Sequence, residues 1–140
     1  MLDYMEGPLR LFLGDVLVVA RGLFGKRADT LARGIPEAVL KSAADVPIVV
    51  VYPGRIEEPV ALCARIIRER WFGDGSRAVA YECLRILLER DKPSPWPAAL
   101  TDEIVRELKA YEDSRIDEAK LLDSVGAWIA EAERPAEPTA

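Results

Sequence analysis

The chain has 140 residues, half of them apolar and 31% charged, with a formal net charge of −5. That length and apolar content predict one soluble globular domain, or one and a half, and the acidic balance argues against a nucleic-acid partner. There is no histidine, which excludes Ser-His-Asp and Cys-His catalysis, imidazole acid–base chemistry and histidine-ligated zinc.

The first residues carry acids, and no apolar run approaches the roughly 20 residues that span a bilayer. The expectation is a cytoplasmic protein with no leader and no membrane contact. Residues 2 to 13 can form a short helix with Leu9, Leu11, Phe12 and Leu13 on its apolar side. Alternatively, Leu9–Leu13 pairs with Val16–Ala20 through a hairpin turn at Gly14-Asp15.

Residues 15 to 53 read as strand, glycine-bearing loop, helix, strand. Asp15 leads the apolar run Val16–Ala20, and Arg21-Gly22, Gly25 and Gly34 punctuate a basic loop that also holds Lys26, Arg27 and Arg33. Ile35 to Ala44 has helical spacing. Val46–Tyr52 contains the continuous β-branched run Ile48, Val49, Val50 and Val51, which suits a strand buried on both faces. A glycine loop between a strand and a helix start is a place where phosphate can be cradled. A P-loop is excluded, because Arg27 and not Ser or Thr follows Gly25-Lys26, and Ala20 stands five residues before Gly25.

In the order of these residues the stretch resembles the carboxyl-terminal signature of the universal stress protein family: aspartate and aliphatics, an Arg-Gly pair, two spaced glycines, a helix, and a last strand of the Pro-Val-Val type. The resemblance covers under a third of the chain and implies a truncated or diverged member acting as a cytoplasmic stress-response module. It implies ATP or a related adenine nucleotide as ligand, with Arg21, Gly22, Gly25 and Gly34 contacting phosphates. It also implies a homodimer through the Ile48–Val51 strand. The chain departs from the family at Ile35-Pro36, which lack the hydroxyl that would donate to phosphate, and proline lacks the N–H as well.

After Gly54 the pattern becomes helical. Glu57-Glu58-Pro59 suits a helix start. Val60, Cys63, Ile66, Ile67 and Trp71 follow on one face. Gly73 to Ser76 is a turn with Ser76 as N-cap. From Arg77 to Arg90, Ala80, Leu84, Leu87 and Leu88 form a stripe. Asp91 to Pro97 breaks the chain with three prolines. Thr101 caps the next helix, with Ile104, Val105, Leu108 and Tyr111 facing inward. Ser114 and Asp117 have capping-box spacing, and Ile116, Leu121, Leu122, Val125, Trp128 and Ile129 continue the pattern, as one long helix or two. Residues 133–140 read as a disordered tail.

The expected fold class is therefore α/β: residues 1–55 a strand–helix–strand half-domain, residues 56–132 helical, residues 133–140 a tail. Cys63 and Cys83 fall in apolar helical patterns and should behave as small buried hydrophobes. The acid pairs Glu57/Glu58, Glu112/Asp113 and Asp117/Glu118 have no companion base and read as solvated helix faces. Trp71-Phe72 and Trp96 are the candidate exposed aromatics, with Trp96 either anchoring a loop to the core or docking a partner. No activated nucleophile or general base is evident, so no enzymatic turnover is expected. The competing reading is a non-catalytic protein–protein interaction module whose working part is the acidic helical half.

Overall fold

The computed structural model describes residues 9–41, 46–52, 55–89 and 98–133. The α/β expectation is overturned: the described residues are mostly helical, and they hold one sheet of two short strands. The order is β1 (Leu9–Leu11), α1 (Leu13–Phe24), α2 (Arg27–Leu31), α3 (Glu37–Leu40), β2 (Val49–Val51), α4 (Glu57–Arg68), α5 (Ser76–Glu89), α6 (Ala98–Glu112) and α7 (Glu118–Glu133). Short 3-10 turns cover Ala32–Gly34 and Gly73–Gly75.

The largest correction concerns Val16–Ala20, which is helix and not strand. Val16 and Ala20, four residues apart, are wholly buried, while Val18 between them is 65% exposed. That is helical periodicity inside a run too short and too uniformly apolar to display it in sequence. Asp15, expected to lead a strand, is instead in the helix's first turn. Its carboxylate accepts the Phe12 N–H at 2.8 Å, satisfying a donor at the helix start. Gly25 ends the helix at φ +59°, and its N–H donates to the Arg21 carbonyl at 2.8 Å.

Neither reading of residues 2–13 holds for the described part. Leu9–Leu11 is a strand, and it pairs antiparallel with Val49–Val51, with Arg10 opposite Val50, and not with Val16–Ala20. The Val46–Tyr52 strand contracts to three residues, of which only Val51 is buried. The helix expected from Ile35 to Ala44 contracts to α3, and residues 42–45 lie outside the described ones. The tail after Glu133 and the proline segment with Trp96 also lie outside them.

The rear half follows its sequence pattern in α4 and α5, but α6 begins at Ala98, so Thr101, expected as its cap, lies inside the helix and its hydroxyl accepts the Tyr81 hydroxyl at 3.1 Å. Glu57 and Glu58 occupy the first turn of α4, and Pro59 stands there without a hydrogen-bonding cost. The α4–α5 hairpin turns through residues 69–75. Arg70, at φ 52°, closes α4: the Trp71 N–H reaches back to the Ile66 carbonyl at 3.1 Å. Ser76 starts α5 but is no simple cap. Its buried hydroxyl accepts the Phe72 N–H at 3.0 Å and donates to the Gly73 carbonyl at 2.8 Å, tying the turn to itself. Two helices and not one follow. Ser114, at φ 62°, ends α6, with the Arg115 N–H on the Ala110 carbonyl at 2.8 Å. Asp117, not Ser114, caps α7, accepting the Lys120 N–H at 2.8 Å.

One apolar core joins the front to the rear. Leu11, Val16, Ala20 and Val51 belong to the same cluster as Ile66, Leu84, Ile104, Leu108, Leu121 and Val125. Trp71 and Phe72, candidates for exposure, are both fully buried within it. Val105, expected inward, is 36% exposed. Gly126 lets α7 lie over Ile56, since a Cβ there would sit 2.8 Å from the Ile56 Cδ1.

Candidate functional site

Arg21, Gly22, Gly25 and Gly34 do not form one loop. Arg21 and Gly22 lie in the last turn of α1, and Gly25 is its C-cap. This is the negative end of the helix dipole, which disfavours a phosphate. Arg21 sits 3.6 Å from Asp29, with both side chains more than half exposed. Among the described residues Gly22 has no heavy atom within 4 Å of where a Cβ would stand. Gly34 is different: a Cβ there would collide with the Arg70 carbonyl oxygen and lie 2.9 Å from the Arg70 carbonyl carbon. Gly34 is thus held against the backbone at the end of α4. Ile35, at the position where phosphate-binding members of the resembled family carry a hydroxyl, is 4% exposed and part of the core.

Reactive groups are scarce. Cys63 and Cys83 are both free and buried. Burial drives the Cys63 thiol well above its ordinary value, with Cys83 adding to the effect. Burial, then Glu82 and Asp15, push Cys83 up to about 12. Both are therefore thiols near neutrality and poor nucleophiles. Among the described residues, no group of three or more His, Cys, Asp or Glu could hold a metal ion.

The acid pairs are neutralised locally. Glu57 and Glu58 flank Arg55 at 3.6 and 3.2 Å. Glu112 meets Arg77 at 2.6 Å, and Asp113 meets Lys109 at 3.3 Å. Glu118 pairs with Arg68 at 3.1 Å. A cleft of about 480 Å³ between the end of α4 and the α6–α7 turn gathers Arg68, Arg70 and Arg115. Arg68 is held by Glu118 and Tyr111, and Arg70 by Asp74 at 2.9 Å, whereas Arg115 is exposed and has no ion pair among the described residues.

Two apolar grooves lie along α1 and α5. One groove of about 360 Å³ is lined by Leu9, Leu11, Val18, Val19, Cys83 and Ile86. A second, of about 450 Å³, is walled by Leu23, Phe24, Leu31, Tyr81 and Val105. Val18, Leu23, Ile86 and Val105 are all exposed apolar side chains. Arg27 also lines the second groove and has no ion pair or side-chain hydrogen bond among the described residues. The other charges there are engaged: Asp74 by Arg70, Arg77 by Glu112 and Glu82 by Arg85. Sequence reasoning missed this face, because it depends on α1 being a helix. No sequence signal marked it, since residues 16–20 are apolar throughout.

The Ile48–Val51 segment, expected as a homodimer edge, is paired along β2 with β1 and has no strand on its other edge among the described residues. Among the described residues, no helix is long and apolar enough to cross a membrane. Comparison of the chain with protein-family models, curated proteins and solved structures found no match.

Proposed function

We propose that this protein is a non-catalytic interaction module that holds an amphipathic, acid-bearing segment of a partner protein in the groove between α1, α2, α5 and α6. The observation that supports this reading is the composition of that groove. Leu23 and Val105 stand exposed at an apolar wall, and Arg27 is the lining charge without an ion pair among the described residues. An apolar ridge on the partner would displace water from Leu23, Phe24 and Val105, which is where the binding free energy would come from. A carboxylate beside that ridge would pair with Arg27 and set the orientation. This is the helix-in-groove mode of peptide recognition, in which apolar anchors recur at helical spacing.

Selection of a random peptide-display library on the full chain tests the reading. The expected outcome is enrichment of peptides with apolar residues at helical spacing and an acid beside them. Leu23→Glu should abolish their binding, and Arg27→Glu should shift selection toward basic peptides. Absence of enrichment, or recovery of the same peptides by Leu23→Glu, would overturn it.

A further inference from the structure

The outward face of α1 carries a second, separate message. Gly14, Asp15, Val18, Arg21 and Gly22 are all exposed, while Val16 and Ala20 point into the core. With 3.6 residues per turn, the five exposed positions lie within about 60° on either side of Val18. Their order is symmetric about that residue. Three positions away stand an acid in one direction and a base in the other; four positions away stands a glycine in both. Turning the helix end for end about Val18 places Asp15 where Arg21 was and Gly14 where Gly22 was.

We propose that a second copy of this chain packs on α1 antiparallel, about a two-fold axis that passes between the two Val18 side chains. Such a contact is isologous, so each residue on one copy must meet its complement on the other. Val18 then meets the partner's Val18. Asp15 then stands level with the partner's Arg21 on the opposite flank of the contact, and Arg21 level with the partner's Asp15, so each arginine side chain reaches across to a carboxylate. The two ion pairs flank the apolar centre, with Asp15 and Arg21 separated by about 9 Å along each helix.

Both charged groups have capacity for this. The Asp15 carboxylate is engaged through one oxygen by the Phe12 N–H. Among the described residues Arg21 has only the loose, exposed contact with Asp29 at 3.6 Å.

The glycines support the same geometry. Among the described residues nothing lies within 4 Å of a Cβ built on Gly14 or Gly22, and neither has a positive φ. The single chain therefore gains no packing from their bareness, and a glycine within a helix weakens it relative to alanine. Bare backbone on both sides of Val18 lets a facing helix approach closely. The apolar area extends beyond α1 through Ile86, which shares a groove with Val18. This contact uses a different surface from the Arg27 groove, and it stands or falls independently of what that groove binds.

Sedimentation velocity of the full chain over a concentration series tests the proposal. The expected result is a reversible monomer–dimer equilibrium. Val18→Glu should weaken it about tenfold or more by desolvating a charge at the axis. Arg21→Asp and Asp15→Arg should each weaken self-association by roughly three- to tenfold, since each sets like charges opposite one another. Mixing these two variants should restore a dimer, and the double variant Asp15→Arg/Arg21→Asp should restore the wild-type constant within about threefold, as a re-paired contact. Circular dichroism of each variant establishes that it is folded. A wild-type chain that stays monomeric at several hundred micromolar, within the range of weak transient contacts, would overturn the proposal. So would a dimer indifferent to Val18→Glu, or a double variant no better than the singles.

Discussion

The front of the chain, residues 9–52, and the helical rear, residues 55–133, respond differently to the same kind of reading. In the rear, amphipathic segments of 12 to 16 residues become the helices α4 to α7. Their apolar residues repeat over enough turns to define a face. In the front, Val16–Ala20 and Ile48–Val51 look alike as short aliphatic runs, yet one is helix and the other contains a strand. A run of four or five apolar residues has no period that separates the two states. What decides is the surroundings. Val16 and Ala20 are buried in the common core, whereas Val49–Val51 finds hydrogen-bond partners in Leu9–Leu11.

The comparison can be broken most forcefully at Gly34, where front meets rear. Gly34→Ala places a methyl group against the Arg70 carbonyl, and the expected cost is about 3 kcal/mol or more, a large fraction of the stability of a typical domain. Urea denaturation followed by circular dichroism checks this. A loss below about 1 kcal/mol would mean that the two halves are not held together at this point. Within the rear, Ser76→Ala removes the hydroxyl that binds the Phe72 N–H and the Gly73 carbonyl. Its expected cost is about 1–3 kcal/mol from the stranded backbone groups, with the same denaturation readout.

Gly22→Ala should act in the opposite direction from Gly34→Ala. In the last turn of α1, where a Cβ meets no described atom, it should stabilise the monomer by about 0.5–1 kcal/mol, as a glycine-to-alanine exchange in a helix does. The thermal midpoint at low protein concentration measures it. Two glycines twelve positions apart, read together in sequence as one loop, would then be separated by the sign of their effects.

The smallest expected effect concerns acid. Burial pushes the Glu69 carboxyl up, but the Trp71 indole N–H at 2.9 Å and the Arg65 guanidinium at 3.1 Å outweigh it, and the group's pKa falls below the ordinary 4.5. A carboxyl lowered in the folded state stabilises above its unfolded pKa, and that contribution fades as pH drops through the lowered value. Stability should therefore decline below about pH 4.5, and Glu69→Gln should flatten part of that decline. The denaturation midpoint measured across that range, with wild type and variant side by side, checks the sign. The group is partly exposed, so the effect is modest.

Legibility follows the range of the interaction that decides each feature. Helix α4 with its proline and acids, the stripe of α5, the burial of Cys63 and Cys83, and the turn before Ser76 depend on neighbours within a few positions. All could be read from the chain. The role of Ser114 could not. Its spacing to Asp117 suggests a cap, but Arg115 bonding back to Ala110 makes Ser114 the end of α6, leaving Asp117 to start α7. The candidate site was less legible still. Arg21, Gly22 and Gly25 were noticed for a glycine loop that assumed a preceding strand, whereas Val18, Leu23 and Val105 acquire meaning only once α1 is helical.

By itself, the sequence determined a core-forming chain without imidazole chemistry, a helical rear, and the starts of α4 and α5, because each depends on local backbone chemistry and on periods long enough to repeat. Only the tertiary structure decided that Asp15 opens a helix, that β1 pairs with β2 across nearly 40 residues, that Gly34 lies on the Arg70 carbonyl, and that Val18 faces outward. Those features depend on contacts between segments far apart in the chain, where burial and steric exclusion outweigh the weak preferences of a short apolar run.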